Sequence, residues 1–175
     1  MKVQQAGSHL DHMLRQTRVH HTQLSSMADI KANMLLTISA VLVTLVSSHL
    51  MTPVFRWPAM ILIVSCLLTI FFAIYTVMPK LPSGAEAKAK DPASPAFNLL
   101  FFGDFAQMPY AEFEGAMEKV LNDPSATYEV QVREIYTLGV FLAQKKYRFL
   151  KMAYLTFLLG LIASVVTFLA VQITG

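Results

Sequence analysis

Residues 54–78, VFRWPAMILIVSCLLTIFFAIYTVM, decide the fold: 25 residues with a single charge, Arg56, at one end. A helix needs about 20 apolar residues to cross a hydrocarbon core of about 30 Å. Two further stretches, 32–51 and 152–173, are comparably long and carry no Asp, Glu, Lys or Arg. Three such stretches predict a membrane protein. Composition agrees, with 55% hydrophobic and 14% charged residues and a mean hydropathy of +0.50. Soluble domains carry about 25% charged residues.

The basic residues give the expected orientation. Lys2, Arg15, Arg18 and Lys31 precede the first span, and nine more fall between the second and third, ending in the collar Lys145, Lys146, Arg148 and Lys151. Only Arg56 lies in the hairpin 49–58, and none follows the third span. The positive-inside rule then expects the N-terminus and residues 80–150 in the cytoplasm, with the hairpin and C-terminus outside. Trp57 beside Arg56, and Tyr75 near Lys80, suit the two membrane interfaces. The net charge of +3 and pI near 9.0 follow from these border cations, so nucleic acid is not an expected partner. The single cysteine, Cys66, lies within the second span and excludes a disulfide framework. The polar first 26 residues lack the short apolar core of a cleaved signal peptide, and none is expected.

The polar parts read as helical. No proline or glycine interrupts 8–52, and Leu10, Met13, Leu14, Leu24 and Met27 recur mostly at helical spacing. The N-terminal segment 1–31 is therefore expected to run as one helix into the first span. Residues 79–96, punctuated by Pro79, Pro82, Gly84, Pro92 and Pro95, read as a linker. An apolar knot follows at 97–105. A helix is predicted over 109–121, with Pro109 in its first turn and an apolar stripe of Tyr110, Phe113, Met117, Val120 and Leu121. Asn122-Asp123-Pro124-Ser125 ends that helix and caps the next. Residues 125–173 contain no proline and are expected to enter the bilayer without a break. The predicted fold class is an all-α membrane protein. It has three transmembrane helices and a small cytoplasmic helical bundle, spanning 97–151, built on extensions of the first and last spans.

Within the spans, small or weakly polar residues recur at helical spacing: Asn33, Thr37, Ala40, Thr44 and Ser47; Ser65, Cys66, Thr69, Ala73 and Thr76; Thr156, Gly160, Ala163, Ser164 and Thr167. Such seams let helices approach closely. They are expected to pack the three helices together; alternatively, the first seam lines a water path in an oligomer or after a conformational change. No Asp, Glu, Lys or His lies near a span centre, which argues against an ion-coupled transporter. No glycine-rich filter loop joins the spans, which argues against a potassium-type channel.

The concentrated polar signature lies where the first helix reaches the bilayer, at Asp29, Lys31 and Asn33. Asp29 and Asn33 share a helix face whereas Asp29 and Lys31 do not. One reading is a positive-inside lysine beside an interfacial carboxylate. The other is a latch in which Asp29 pairs with a base of the collar, Lys146 among them.

Catalytic constellations are weak. His9, His12, His20 and His21 sit on a polar helix without a convergent ligand set, so they are expected to be solvated. No phosphate-cradling glycine loop exists. Neither a catalytic residue nor a metal site is assigned, and the chain is not expected to be an enzyme.

The order of features resembles the transmembrane effector family of the Pycsar antiphage systems. The matching pieces are Asp29-Ile30-Lys31-Ala32 leading into Leu35-Leu36, the apolar stretch 98–105 with Glu112-Phe113 after it, and Leu138-Gly139 followed by Lys146-Tyr147. The resemblance implies that the protein senses a cyclic pyrimidine nucleotide, cCMP or cUMP, made by a partner cyclase on phage infection. It further implies that the protein then impairs the bacterial inner membrane, so that the infected cell stops supporting replication. The cyclic nucleotide would be a signalling ligand; no other cofactor is implied. Such a ligand needs a cation, polar groups and an aromatic face. Arg133, Lys145, Asn98, Asp104, Phe101 and Tyr110 offer these types, with Arg133 the first choice for the phosphate. Three short spans enclose almost no lumen, so conduction implies a homo-oligomer in contact with membrane lipid. The alternatives are a constitutive membrane scaffold or assembly subunit that binds a protein partner, and a pore-forming toxin that needs no signal.

Overall fold

The structure, a computed structural model, describes Val3, residues 6–79 and residues 97–174, the side chain of Thr174 excepted. The linker expected at 79–96 lies outside the described residues except for Pro79. Six α-helices are present among the described residues: α1 (Ser8–Ser47), α2 (Arg56–Val77), α3 (Phe102–Phe105), α4 (Tyr110–Leu121), α5 (Pro124–Phe141) and α6 (Arg148–Thr174). A 3₁₀ turn, Ser48–Met51, follows α1, and a π-helical turn, Leu142–Tyr147, joins α5 to α6. No strand occurs among the described residues. Three helical stretches are long and apolar enough to cross a membrane: Ser8–Met51, Arg56–Val77 and Pro124–Ile173. The fold is that of an all-α membrane protein.

The chain forms two compact units, one holding the described residues of 1–23 and 79–141, the other those of 24–78 and 142–174. The membrane unit is a three-helix bundle held by small residues. In α2 the buried positions are Pro58, Ala59, Ser65, Cys66, Thr69, Ala73 and Thr76. These include every member of the seam expected there.

α6 packs antiparallel to α2. Phe55 stacks on Phe168 at 5.2 Å, Ser164 Oγ donates to the Pro58 carbonyl at 3.0 Å, and Tyr75 meets Phe149 at 4.4 Å. Between these contacts the backbone of Gly160 lies so close to Ser65 that a Cβ there would collide with the serine side chain. Only glycine permits that approach, which is how helices associate where lipid supplies no hydrophobic drive. The α2 hydroxyls are satisfied within the helix, Thr69 donating to the Ser65 carbonyl at 2.8 Å and Thr76 to the Phe72 carbonyl at 2.9 Å.

α1 packs through Ala28, Ala32, Leu35 and Ser39, all buried. Ala28 and Ala32 join Ala73 and Leu150 in one cluster, flanked by Leu36, Val77 and Tyr147, and Ser39 stands beside Cys66. The seam expected on α1 faces elsewhere: Asn33, Thr37, Ala40, Thr44 and Ser47 are all exposed. Asn33 follows Ala32 by one residue, which is about 100° of helix rotation. Two stripes of small residues therefore run side by side, and the less polar one is buried. Large apolar side chains cover the outside of the bundle, among them Ile38, Leu45, Val64, Phe71, Leu159 and Val166. A surface that apolar suits lipid.

The polar unit is built on α5. Asp123 caps it, accepting from the Ser125 N–H at 2.8 Å, and Pro124 occupies the first turn, where a missing N–H costs nothing. Thr127 ties α5 to the end of α4 by donating to the Val120 carbonyl at 2.6 Å. Phe105 packs against Phe113 at 4.8 Å. The first half of α1 runs alongside α5 in the same direction: Asp11 meets Tyr128, Arg18 meets Glu134, and His21 lies against Gly139.

Candidate functional site

Two polar constellations stand out, one in each unit. In the membrane unit, Lys146 reaches from the π-helical turn to α1. Its Nζ lies 2.6 and 2.7 Å from the two carboxylate oxygens of Asp29 and 2.9 Å from Ser25 Oγ. The neighbouring Tyr147 donates its hydroxyl to the Leu24 carbonyl at 3.2 Å. In a regular α-helix, consecutive side chains diverge by about 100°. Here both residues lie in the π-helical turn and both contact α1. The Lys146 side chain is mostly buried and Asp29 is about a third exposed, so the pair is screened less than a surface one. Lys31 and Asn33, placed with Asp29 by sequence, are exposed and take no part in the contact.

The other three collar cations point away. Lys145, Arg148 and Lys151, with Ala143, Gln144 and Tyr147, line an open concavity of about 520 Å³.

In the polar unit, the turn at 97–101 is fastened to α5. Arg133 Nη1 donates to the Phe97 carbonyl at 3.1 Å, and its Nη2 pairs with Glu129 at 3.2 Å. Asn98 is buried. Its backbone N–H donates to Asp104 Oδ2 at 2.9 Å, its side-chain oxygen accepts from the Leu100 N–H at 3.1 Å, and its Nδ2 donates to Thr137 Oγ1 at 3.2 Å. Arg133, Asn98 and Asp104 thus share one network. Phe101 is half exposed beside them in sequence and packs on Phe102, with ring centroids 5.1 Å apart. Tyr110 is largely exposed on α4. Lys145 belongs to the membrane unit and to the concavity described above.

Three residues that sequence reasoning passed over organise the polar unit. Tyr128 is buried and donates to Asp11 Oδ1 at 2.6 Å, a bond that pushes its phenol above the ordinary value of 10.0. Glu134 meets Arg18 at 3.1 Å; burial raises its carboxyl above the ordinary value, with the Arg18 charge opposing. His21, expected to be solvated, is half-buried against Gly139, and its Nδ1 is buried with no hydrogen-bond partner among the described residues. Each pairs residues more than 100 positions apart, so no local pattern announces it. Among the described residues no group of three or more His, Cys, Asp or Glu converges on a metal-sized point.

Three membrane-length helices, a polar helical unit and an ion pair where α1 reaches the apolar region define an all-α membrane protein. The family model for the Pycsar effector protein domain matches residues 12–172, and the chain belongs to that family. It is an antiphage effector of the Pycsar type. No curated protein and no solved structure matches it.

Proposed function

We propose that this effector senses a cyclic pyrimidine nucleotide, cCMP or cUMP, supplied by a partner cyclase during phage infection, and responds by impairing the inner membrane, leading to abortive infection. On this reading the N-terminus and the polar unit are cytoplasmic, the C-terminus is periplasmic, the chain acts as a homo-oligomer, and it performs no catalysis. The observation that carries the reading is that the same two helical stretches, Ser8–Met51 and Pro124–Ile173, supply both the polar unit and the membrane unit. A change of packing around α5 therefore has a covalent helical route into the lipid-facing bundle.

Arg133 is the residue proposed for the nucleotide phosphate. A guanidinium offers five N–H donors, and the Phe97 and Glu129 contacts leave some of them for a ligand. A phosphate arriving there competes with Glu129 for the same cation and so loosens the 97–101 turn from α5. Asn98 and Asp104 shape that turn, while Phe101 and Tyr110 offer exposed aromatic faces for a base.

The test is expression in cells lacking the cyclase, with membrane potential read by a voltage-sensitive dye. The reading expects no effect of the chain alone and depolarisation once cCMP or cUMP is supplied. Depolarisation without nucleotide would favour a pore-forming toxin, and indifference to nucleotide would favour a scaffold.

A further inference from the structure

The collar cations fall into two groups. Lys146 is spent on Asp29, whereas Lys145, Arg148 and Lys151 have no acidic partner among the described residues and line one concavity with Gln144. Three unneutralised cations around about 520 Å³ make a site for a phosphate ester, whose oxygens take charge-assisted hydrogen bonds from Lys and Arg. A positive-inside bias alone requires cations near a span; it does not require them to share a concavity.

The surface just beyond identifies the ligand. From Arg148, the positions Met152, Leu155, Leu159, Ile162 and Val166 follow at alternating spacings of four and three, and all are exposed apolar side chains. They form one stripe down α6. At 1.5 Å per residue, the run from Met152 to Ile162 covers about 15 Å, half the thickness of a bilayer's hydrocarbon core. We propose that the concavity binds the headgroup phosphate of an anionic phospholipid, with the acyl chains lying along that stripe. A cyclic nucleotide is also a monoanionic phosphodiester but has no apolar tail to occupy the stripe. The proposal rests on the membrane-spanning reading alone and not on nucleotide sensing.

The test uses the full chain in neutral detergent micelles, with thermal unfolding followed by circular dichroism on titration with phosphatidylglycerol, with phosphatidylcholine, or with cCMP or cUMP. Phosphatidylglycerol is expected to raise the midpoint and phosphatidylcholine to leave it. The triple variant Lys145→Gln/Arg148→Gln/Lys151→Gln should bind phosphatidylglycerol roughly a hundredfold more weakly, at about a fivefold loss per cation. A control with the same change of charge, Arg15→Gln/Arg56→Gln/Lys119→Gln, should respond like the native chain. An equal response of the triple variant, or an equal loss in the control, would overturn the site in favour of general surface charge. Protection by nucleotide but not by phosphatidylglycerol, lost in the triple variant, would also overturn it, assigning the concavity to the nucleotide.

Discussion

Lys146 and Asp29, 117 residues apart in sequence, meet in a two-pronged contact of 2.6 and 2.7 Å. The ammonium also takes Ser25 Oγ at 2.9 Å, so its three protons are matched by three oxygens. Removing Asp29 leaves a mostly buried cation with a serine alone. A double-mutant cycle on Asp29→Asn and Lys146→Gln, read by unfolding in micelles, is expected to give a coupling of about 1–3 kcal/mol, the range for hydrogen bonds to charged groups. A value near zero would mean that the contact behaves as an exposed pair.

Gly160→Leu is expected to force α6 away from α2, because even a Cβ at this position collides with Ser65. Overpacking of this kind costs about 1–3 kcal/mol. The chain's single cysteine reports it: Cys66 is fully buried in the native bundle. Labelling by N-ethylmaleimide through transient opening should then accelerate roughly five- to 150-fold.

The membrane fold was legible because bilayer thickness dictates a length that sequence displays directly. The α2 seam was legible too, since Ser65, Cys66, Thr69, Ala73 and Thr76 have no rival stripe on that helix. On α1 two stripes compete one residue apart, and the choice between Asn33 and Ala32 is made by the partner helices, which sequence spacing does not describe. The latch was legible as chemistry but not as geometry. Four collar cations offered themselves to Asp29, and the one that makes the contact, Lys146, lies in a π-helical turn that no residue pattern signals. Arg133 could be read as a free cation only because its acceptor, the Phe97 carbonyl, belongs to the backbone of a turn 36 residues away.

Arg133→Ala is expected to destabilise the polar unit by about 1–2 kcal/mol, through loss of the Phe97 contact. Arg133→Lys keeps the charge and one donor, and should recover part of that stability. If Arg133 also receives the nucleotide phosphate, nucleotide-dependent depolarisation falls in Arg133→Ala by more than the loss of folded protein explains. Undiminished depolarisation would remove Arg133 from the sensing role.

The pH dependence has the same sign at Tyr128 and Glu134, in different pH ranges. Tyr128 has a raised phenol pKa through its bond to Asp11, so the bond stabilises the fold fully below pH of about 10 and is lost as pH rises through the higher folded value. Tyr128→Phe should remove that alkaline loss. Glu134 is also raised, but by burial; the fold favours its neutral form, so its contribution is largest in acid and declines as pH rises through the folded pKa. Carboxyl ¹³C shifts should titrate above the ordinary carboxylate value of 4.5, and further upward in Arg18→Gln, which removes the opposing charge.

The most direct test reconstitutes the purified chain in sealed liposomes holding a potassium diffusion potential, and adds cCMP or cUMP to the side on which the polar unit is protease-accessible. The account predicts that the potential holds until a cyclic pyrimidine nucleotide is added and then collapses. A potential that persists with the chain inserted and either nucleotide saturating, or that collapses before any is added, would contradict it.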